Sequence, residues 1–180
     1  IQPFCQSKNF TALKRLYLSD NIVSDKGSKA ISEAHFAPQL VQLDLKYNDM
    51  GPSGGLAIVR SDKFKKLQIL IFQENDTGDD VLIALSENPN FSNLRKLNFY
   101  KTKLSDKGVK ALGESKYLKK IKYLNLARNI IRLDSALAIA NTKTLTKLET
   151  LLIYDTFIGE PGTEALLESK RLKLKTLRLT

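Results

Sequence analysis

The chain has 180 residues, 42% of them apolar and 27% charged, enough for one domain of ordinary size with a continuous core. Its 29 Lys and Arg against 19 Asp and Glu leave a net charge of +10, which invites an acidic protein, a nucleic acid or an anionic surface as partner. One cysteine, Cys5, excludes an internal disulfide framework and favours a reducing compartment, and no apolar run approaches the roughly 20 residues of a membrane-spanning helix.

In chain order, residues 1–12 read as the tail of an earlier repeat. From there an apolar pattern, Leu-x-x-Leu-x-Leu, begins at Leu13, Leu40, Leu67, Leu94, Ile121, Leu148 and Leu174, at intervals of 27 five times and then 26. Its second column is Leu16, Leu43, Leu70, Leu97, Leu124, Leu151 and Leu177. Its third is Leu18, Leu45, Phe72, Phe99, Leu126, Ile153 and Leu179. Apolar residues two apart put their side chains on one face of a short strand. Three residues on come Asn21, Asn48, Asn75, Thr102, Asn129 and Thr156. A buried Asn there can bond the backbone of the turn that leaves the strand, in its own and the adjacent repeat. Thr keeps only part of that capacity, so the ladder is expected to be looser at those two rungs. Three glycosylation-type triplets occur, at Asn9, Asn75 and Asn90, and Asn75 is assigned to the ladder instead.

The second half of each repeat reads as a helix. Cap-forming residues mark the starts: Ser24 and Asp25, Pro52 and Ser53, Asp79, Ser105 and Asp106, Asp134 and Ser135, Glu160 and Pro161. An unbroken column of Ala30, Ala57, Ala84, Ala111, Ala138 and Ala165 follows, each beside a larger apolar residue, so that helices can approach closely along the stack. A last column, Phe10, Ala37, Phe64, Phe91, Leu118, Leu145 and Leu172, closes the repeat, with Phe36 expected to substitute for Ala37. No repeat can bury its own apolar face, and stacking makes the core.

The pattern L-x-x-L-x-L-x-x-N-x-φ-x-x-x-G-x-x-A-φ, matched best by Asn21 to Gly27 and Ser105 to Leu112, resembles the ribonuclease-inhibitor-like class of leucine-rich repeats over the whole chain. It is similar to bacterial members of that class, whose period is uniform. Val81 and Ser135 depart from it at the Gly position, as the two Thr do at the Asn position. The resemblance implies an α/β solenoid, a horseshoe with a parallel sheet on the concave face and helices on the convex face. It also implies a curved surface for binding proteins, in some members to inhibit an enzyme by covering it. Residues 1–180 are read as a single domain, a fragment of a longer chain lacking one or both polar caps.

Catalytic chemistry has little to stand on. One His (His35) and one Cys (Cys5) make neither a nucleophile pair nor a metal cluster, and Gly51-Pro52-Ser53-Gly54-Gly55 has the wrong spacing for a phosphate loop. Asp79-Asp80 at a helix start complements the macrodipole. No enzyme activity, catalytic residue, cofactor or metal is therefore expected.

The strand pattern places its x positions on the open face of the sheet. Five of the six tyrosines fall there: Tyr17, Tyr47, Tyr100, Tyr123 and Tyr154. Tyrosine is a frequent anchor because it offers area and a hydroxyl at low entropic cost. Ile71 and Leu152 are expected to be exposed beside them. Strands four and five add Arg95, Lys96, Lys101, Lys122 and Arg128 with no acid among them, whereas strands two, three and six carry Asp44, Glu74, Glu149 and Asp155. These twelve tyrosine, apolar and basic residues form the expected partner-binding surface. The expected function is a protein-binding module, an inhibitor, effector or adaptor, that takes an acidic region of its partner. Alternatives are nucleic-acid binding through the basic strands, with Tyr100 and Tyr123 stacking on bases, and a recognition arm of a larger enzyme such as a ubiquitin ligase. The expected location is the cytoplasm, or a host cytosol after secretion.

Overall fold

Each Leu-x-Leu alternation makes one three-residue strand, too short to stand alone and held only by its neighbours. The computed structural model describes all of residues 1–180. Its strands are β1 Arg15–Tyr17, β2 Gln42–Asp44, β3 Ile69–Ile71, β4 Lys96–Asn98, β5 Tyr123–Asn125, β6 Thr150–Leu152 and β7 Thr176–Arg178. They form one parallel sheet in chain order, and the register puts Leu16, Leu43, Leu70, Leu97, Leu124, Leu151 and Leu177 side by side. Between them lie helices α2 Ser24–Glu33, α3 Pro52–Val59, α4 Gly78–Glu87, α5 Asp106–Glu114, α6 Leu133–Ala140 and α7 Gly159–Leu167, each packed on the next, with α1 Gln2–Gln6 packed on α2. This is the α/β solenoid expected from the repeat. Strands sit about 4.8 Å apart and helices are about 10 Å wide, so the stack bends toward its sheet. The sheet is the inner face.

One buried cluster runs the length of the molecule between sheet and helices. The three strand columns, the large residue after each column Ala, and Phe64 and Phe91 of the returns fill it. Phe72 meets Phe99 edge-on at 5.4 Å between centroids, and Phe36 is buried against Phe4 at 5.1 Å, filling the place left by Ala37.

The Asn column works as a ladder. Asn75 is buried, and its Oδ1 accepts from the N–H groups of Asn48 (3.1 Å) and Met50 (3.0 Å) in the preceding rung. Its Nδ2 donates to the carbonyls of Leu45, Phe72 and Gln73. Asn129 repeats this set on Thr102, Leu104, Phe99, Leu126 and Ala127. Thr102 only donates, to Phe99, and gives nothing back to the rung before it. The ladder is therefore broken there, and the one buried side-chain polar atom without a partner, Thr77 Oγ1, lies in that same preceding turn.

The helix starts fall where expected, but the capping crosses between repeats. Of the cap-forming residues only Ser105 caps its own helix, accepting from Lys107 N–H. Asp25, Asp79 and Asp106 instead accept from the first turn of the following helix: Gly51 and Gly54, Ser105 and Gly108, Arg132 and Ser135. An added Cβ at Gly108 would lie 2.5 Å from Asp79 Oδ1, whereas Ser135 turns the same approach into a hydrogen bond from its hydroxyl to Asp106. This accounts for Gly in one rung and Ser in another. Where the preceding repeat has Pro52 or Leu133 instead of Asp, the entry changes hand: Gly78 (φ +69°) and Gly159 (φ +67°) start α4 and α7 left-handed.

A second polar column joins the helix ends to the returns: Ser61, Asn88, Ser115, Thr142 and Ser169. Each donates to a carbonyl of the previous repeat, Ser32, Val59, Ser86, Gly113 and Ala140 in turn. Each also accepts an N–H two residues ahead in its own return.

Two substitutions test the ladder by chemical denaturation. Asn75→Ala strands four backbone groups, since the Gln73 carbonyl keeps its bond from Tyr47 N–H, and should cost about 3 kcal/mol or more. Thr77→Val removes the orphaned hydroxyl at constant shape and should stabilise by about 1 kcal/mol. A loss of stability in the second would mean that the hydroxyl has a partner.

Candidate protein-docking face

The open face of the sheet is built by two kinds of position in each rung. The first is the strand residue between the second and third apolar columns. Its side chains stand in one row: Tyr17, Asp44, Ile71, Asn98, Asn125, Leu152 and Arg178. The second is the residue just before the ladder position: Asp20, Tyr47, Glu74, Lys101, Arg128 and Asp155. All six of these are left-handed, with φ between 49° and 59°. A non-glycine residue held there costs on the order of 1 kcal/mol or more. Five of the six donate their N–H to a carbonyl of the next rung, and in three rungs the first row also holds the turn: Asp44, Asn98 and Asn125 accept from the N–H two residues on, of Lys46, Tyr100 and Ala127.

The tyrosines gather on this face as expected. Tyr17 is 59% exposed and its hydroxyl donates to Gln42, and Tyr47 is 43% exposed with Lys46 Nζ 5.0 Å from its ring centre. Tyr100 and Tyr154 face each other across two rungs at 6.2 Å. Arg128 lies 5.8 Å from the Tyr100 ring and Arg178 4.3 Å from the Tyr154 ring. Lys96 Nζ stands 4.7 Å over Tyr123, whose hydroxyl burial pushes up in pKa. Leu152 is half-buried in the row.

Two expectations need correction. Ile71 is not exposed: only 9% of it meets solvent, in a row where Asp44 and Asn98 stand on either side of it. Nor are strands four and five an acid-free basic centre. Lys101 pairs with Glu74 at 2.7 Å, Lys122 with Glu149 at 2.7 Å and Arg128 with Asp155 at 2.9 Å. The acids sit one rung away along the same column, 27 residues off in sequence, so a strand-by-strand reading separates partners that the stack brings together. Of the five bases, Arg95 and Lys96 make no ion pair. Arg178, absent from the expected set, joins the face through its stack on Tyr154. Its place in the register with Leu152 was the signal in the sequence.

The charges hold one another. Hydrogen bonding to Glu74 raises the pKa of both Lys101 and Tyr47. Hydrogen bonds from Lys122 and Lys175 pull the Glu149 carboxyl down to about 2. Elsewhere, burial opposes ionisation of Asp106, but the bonds it accepts from Ser135 and Arg132 outweigh burial and hold it low. Cys5 and His35 border one shallow cavity without a hydrogen bond between them, and burial pushes the Cys5 thiol up.

A depressed carboxyl contributes stability that is whole above its unfolded value and lost as pH falls through its folded one. For Glu149 that window runs from 4.5 down to about 2. A carboxyl titration followed by NMR should show this midpoint, and Lys122→Met with Lys175→Met should return it to the ordinary range. A midpoint near 4 in the unaltered protein would remove the triad.

The family model described as leucine-rich repeat matches residues 38–59 and 92–113. No curated protein matches the chain. The two matched segments lie two whole repeats apart and each spans a strand with its turn and helix, on a chain whose seven strands stack in one parallel sheet. Two matched repeats within a seven-strand parallel stack fit a leucine-rich-repeat protein.

Proposed function

We propose that this chain binds a partner protein on the inner face of its sheet and acts by docking, without chemistry of its own. The observation that carries this is the cation–tyrosine layer over β4 to β7, in which Tyr100, Tyr123 and Tyr154 are held by Lys96, Arg128 and Arg178. Rings fixed by stacking lose little freedom on binding, which is what a docking anchor needs. Leucine-rich repeats generally mediate protein–protein interaction, in accord with this reading. Arg95 and Lys96, free of acids, would receive an acidic region of the partner, while the paired charges give the face its alternating pattern. The resemblance to the ribonuclease-inhibitor-like class makes inhibition by occlusion the mode to test first, with recruitment as an adaptor or effector next. Pairing of Lys101, Lys122 and Arg128 with carboxylates interrupts any phosphate track across β4 and β5, which ranks nucleic acid behind protein.

The test is affinity capture from nuclease-treated lysate, then binding measurements on the captured protein. Tyr100→Ala should weaken binding roughly thirtyfold, the size of a strong anchor. Arg128→Gly should weaken it with the melting temperature unchanged, since relief of the left-handed backbone offsets an exposed ion pair of about 0–1 kcal/mol. Capture lost on nuclease treatment would put nucleic acid first. Equal capture by protein and variants would move the docking surface off the sheet.

A further inference from the structure

Net charge is not spread evenly round the solenoid. Apart from the residue just before each strand, which belongs to the sheet face, the returns that carry the chain from each helix end, or from α1, to the next strand hold thirteen Lys or Arg and two Asp or Glu, more positive charge than the +10 of the whole chain. The remaining residues are net acidic. All returns lie at one edge of the stack, where helices end and strands begin. The solenoid bends about an axis parallel to its strands, so this edge stays flat while the sheet face curves.

The last three returns repeat their lysines in register. Lys116, Lys143 and Lys170 make one row and Lys120, Lys147 and Lys173 a second, all six exposed. None of the six makes an ion pair, in contrast to Lys101, Lys122 and Arg128 of the sheet face, and Lys120 Nζ donates to the neutral Asn93 side chain. Tyr117 stands 37% exposed beside the first row, an amphipathic ring of the kind that settles at a lipid interface.

We infer that this flat lysine edge adsorbs the protein to an anionic phospholipid surface, leaving the sheet face free for its partner. A plane can meet both rows at once, whereas a duplex, being a cylinder, meets them along a line. The charges are mostly lysine, hydrated point charges suited to a diffuse anionic layer, and not the arginine forks that grip individual phosphates. Each lysine near such a surface adds to the attraction, and the sum falls off within a Debye length.

The probe is a vesicle of phosphatidylcholine with about 30% phosphatidylserine, followed by sedimentation at about 0.1 M salt. The edge variant is Lys116→Gln, Lys120→Gln, Lys143→Gln and Lys147→Gln. The control removes the same charge from the helix face, at Lys26, Lys29, Lys107 and Lys110, each to Gln. All eight side chains are exposed, so both variants should melt with the unaltered protein. The expected result is binding that needs phosphatidylserine, falls on the order of a hundredfold in the edge variant and changes several-fold at most in the control. Failure of the unaltered protein to sediment with these vesicles would overturn the inference, as would equal losses in the two variants. So would tighter binding to a DNA duplex than to vesicles with the same edge dependence, which would assign the edge to nucleic acid.

Discussion

Backbone groups turned into a dry interior must be bonded, and in this solenoid each rung bonds the turns of its neighbour. Asn75 serves five backbone groups, some in its own turn and some in the one before. Asp79 lies in one helix and holds the first turn of the next. Ser115 does the same for the end of the helix before it. A repeat taken alone would therefore fail on polar grounds as well as for want of a core.

This mutual bonding also explains where the fold tolerates change. Replacing Asn by Thr at position 102 keeps the bond within the rung and drops those to the rung before, and the orphaned hydroxyl of Thr77 lies in that turn. Absence of an Asp at 52 or 133 is met by a different backbone path into the next helix, through a left-handed glycine. The left-handed residue ahead of each ladder position is the converse case. There the surrounding bonds fix the backbone, so side chains of any type can be carried, and the molecule places Tyr47, Lys101 and Arg128 at that position. A rigid, overdetermined turn is what allows this position to vary for recognition.

Charge divides between two surfaces. On the inner face, bases and acids from adjacent rungs neutralise one another and hold tyrosine rings in place. At the return edge the two lysine rows make no ion pair. The two patterns suit two different partners, one shaped and mixed in charge, the other flat and uniformly anionic.

The repeat, its period, the parallel register, the three apolar columns and the Asn ladder are legible in the order of residues alone, because a column that recurs every 27 residues can face only one way in a stack. The same order also located the tyrosines, since the two-residue alternation of a strand names its open side. Packing of the rungs set everything that depends on distance between columns. It sent the helix-start carboxylates to the following repeat, buried Ile71, and joined Lys101, Lys122 and Arg128 to acids one rung away. Periodicity states which residues share a column. How closely two columns approach depends on the bend of the stack and on side-chain reach, and these exist only once the rungs are packed.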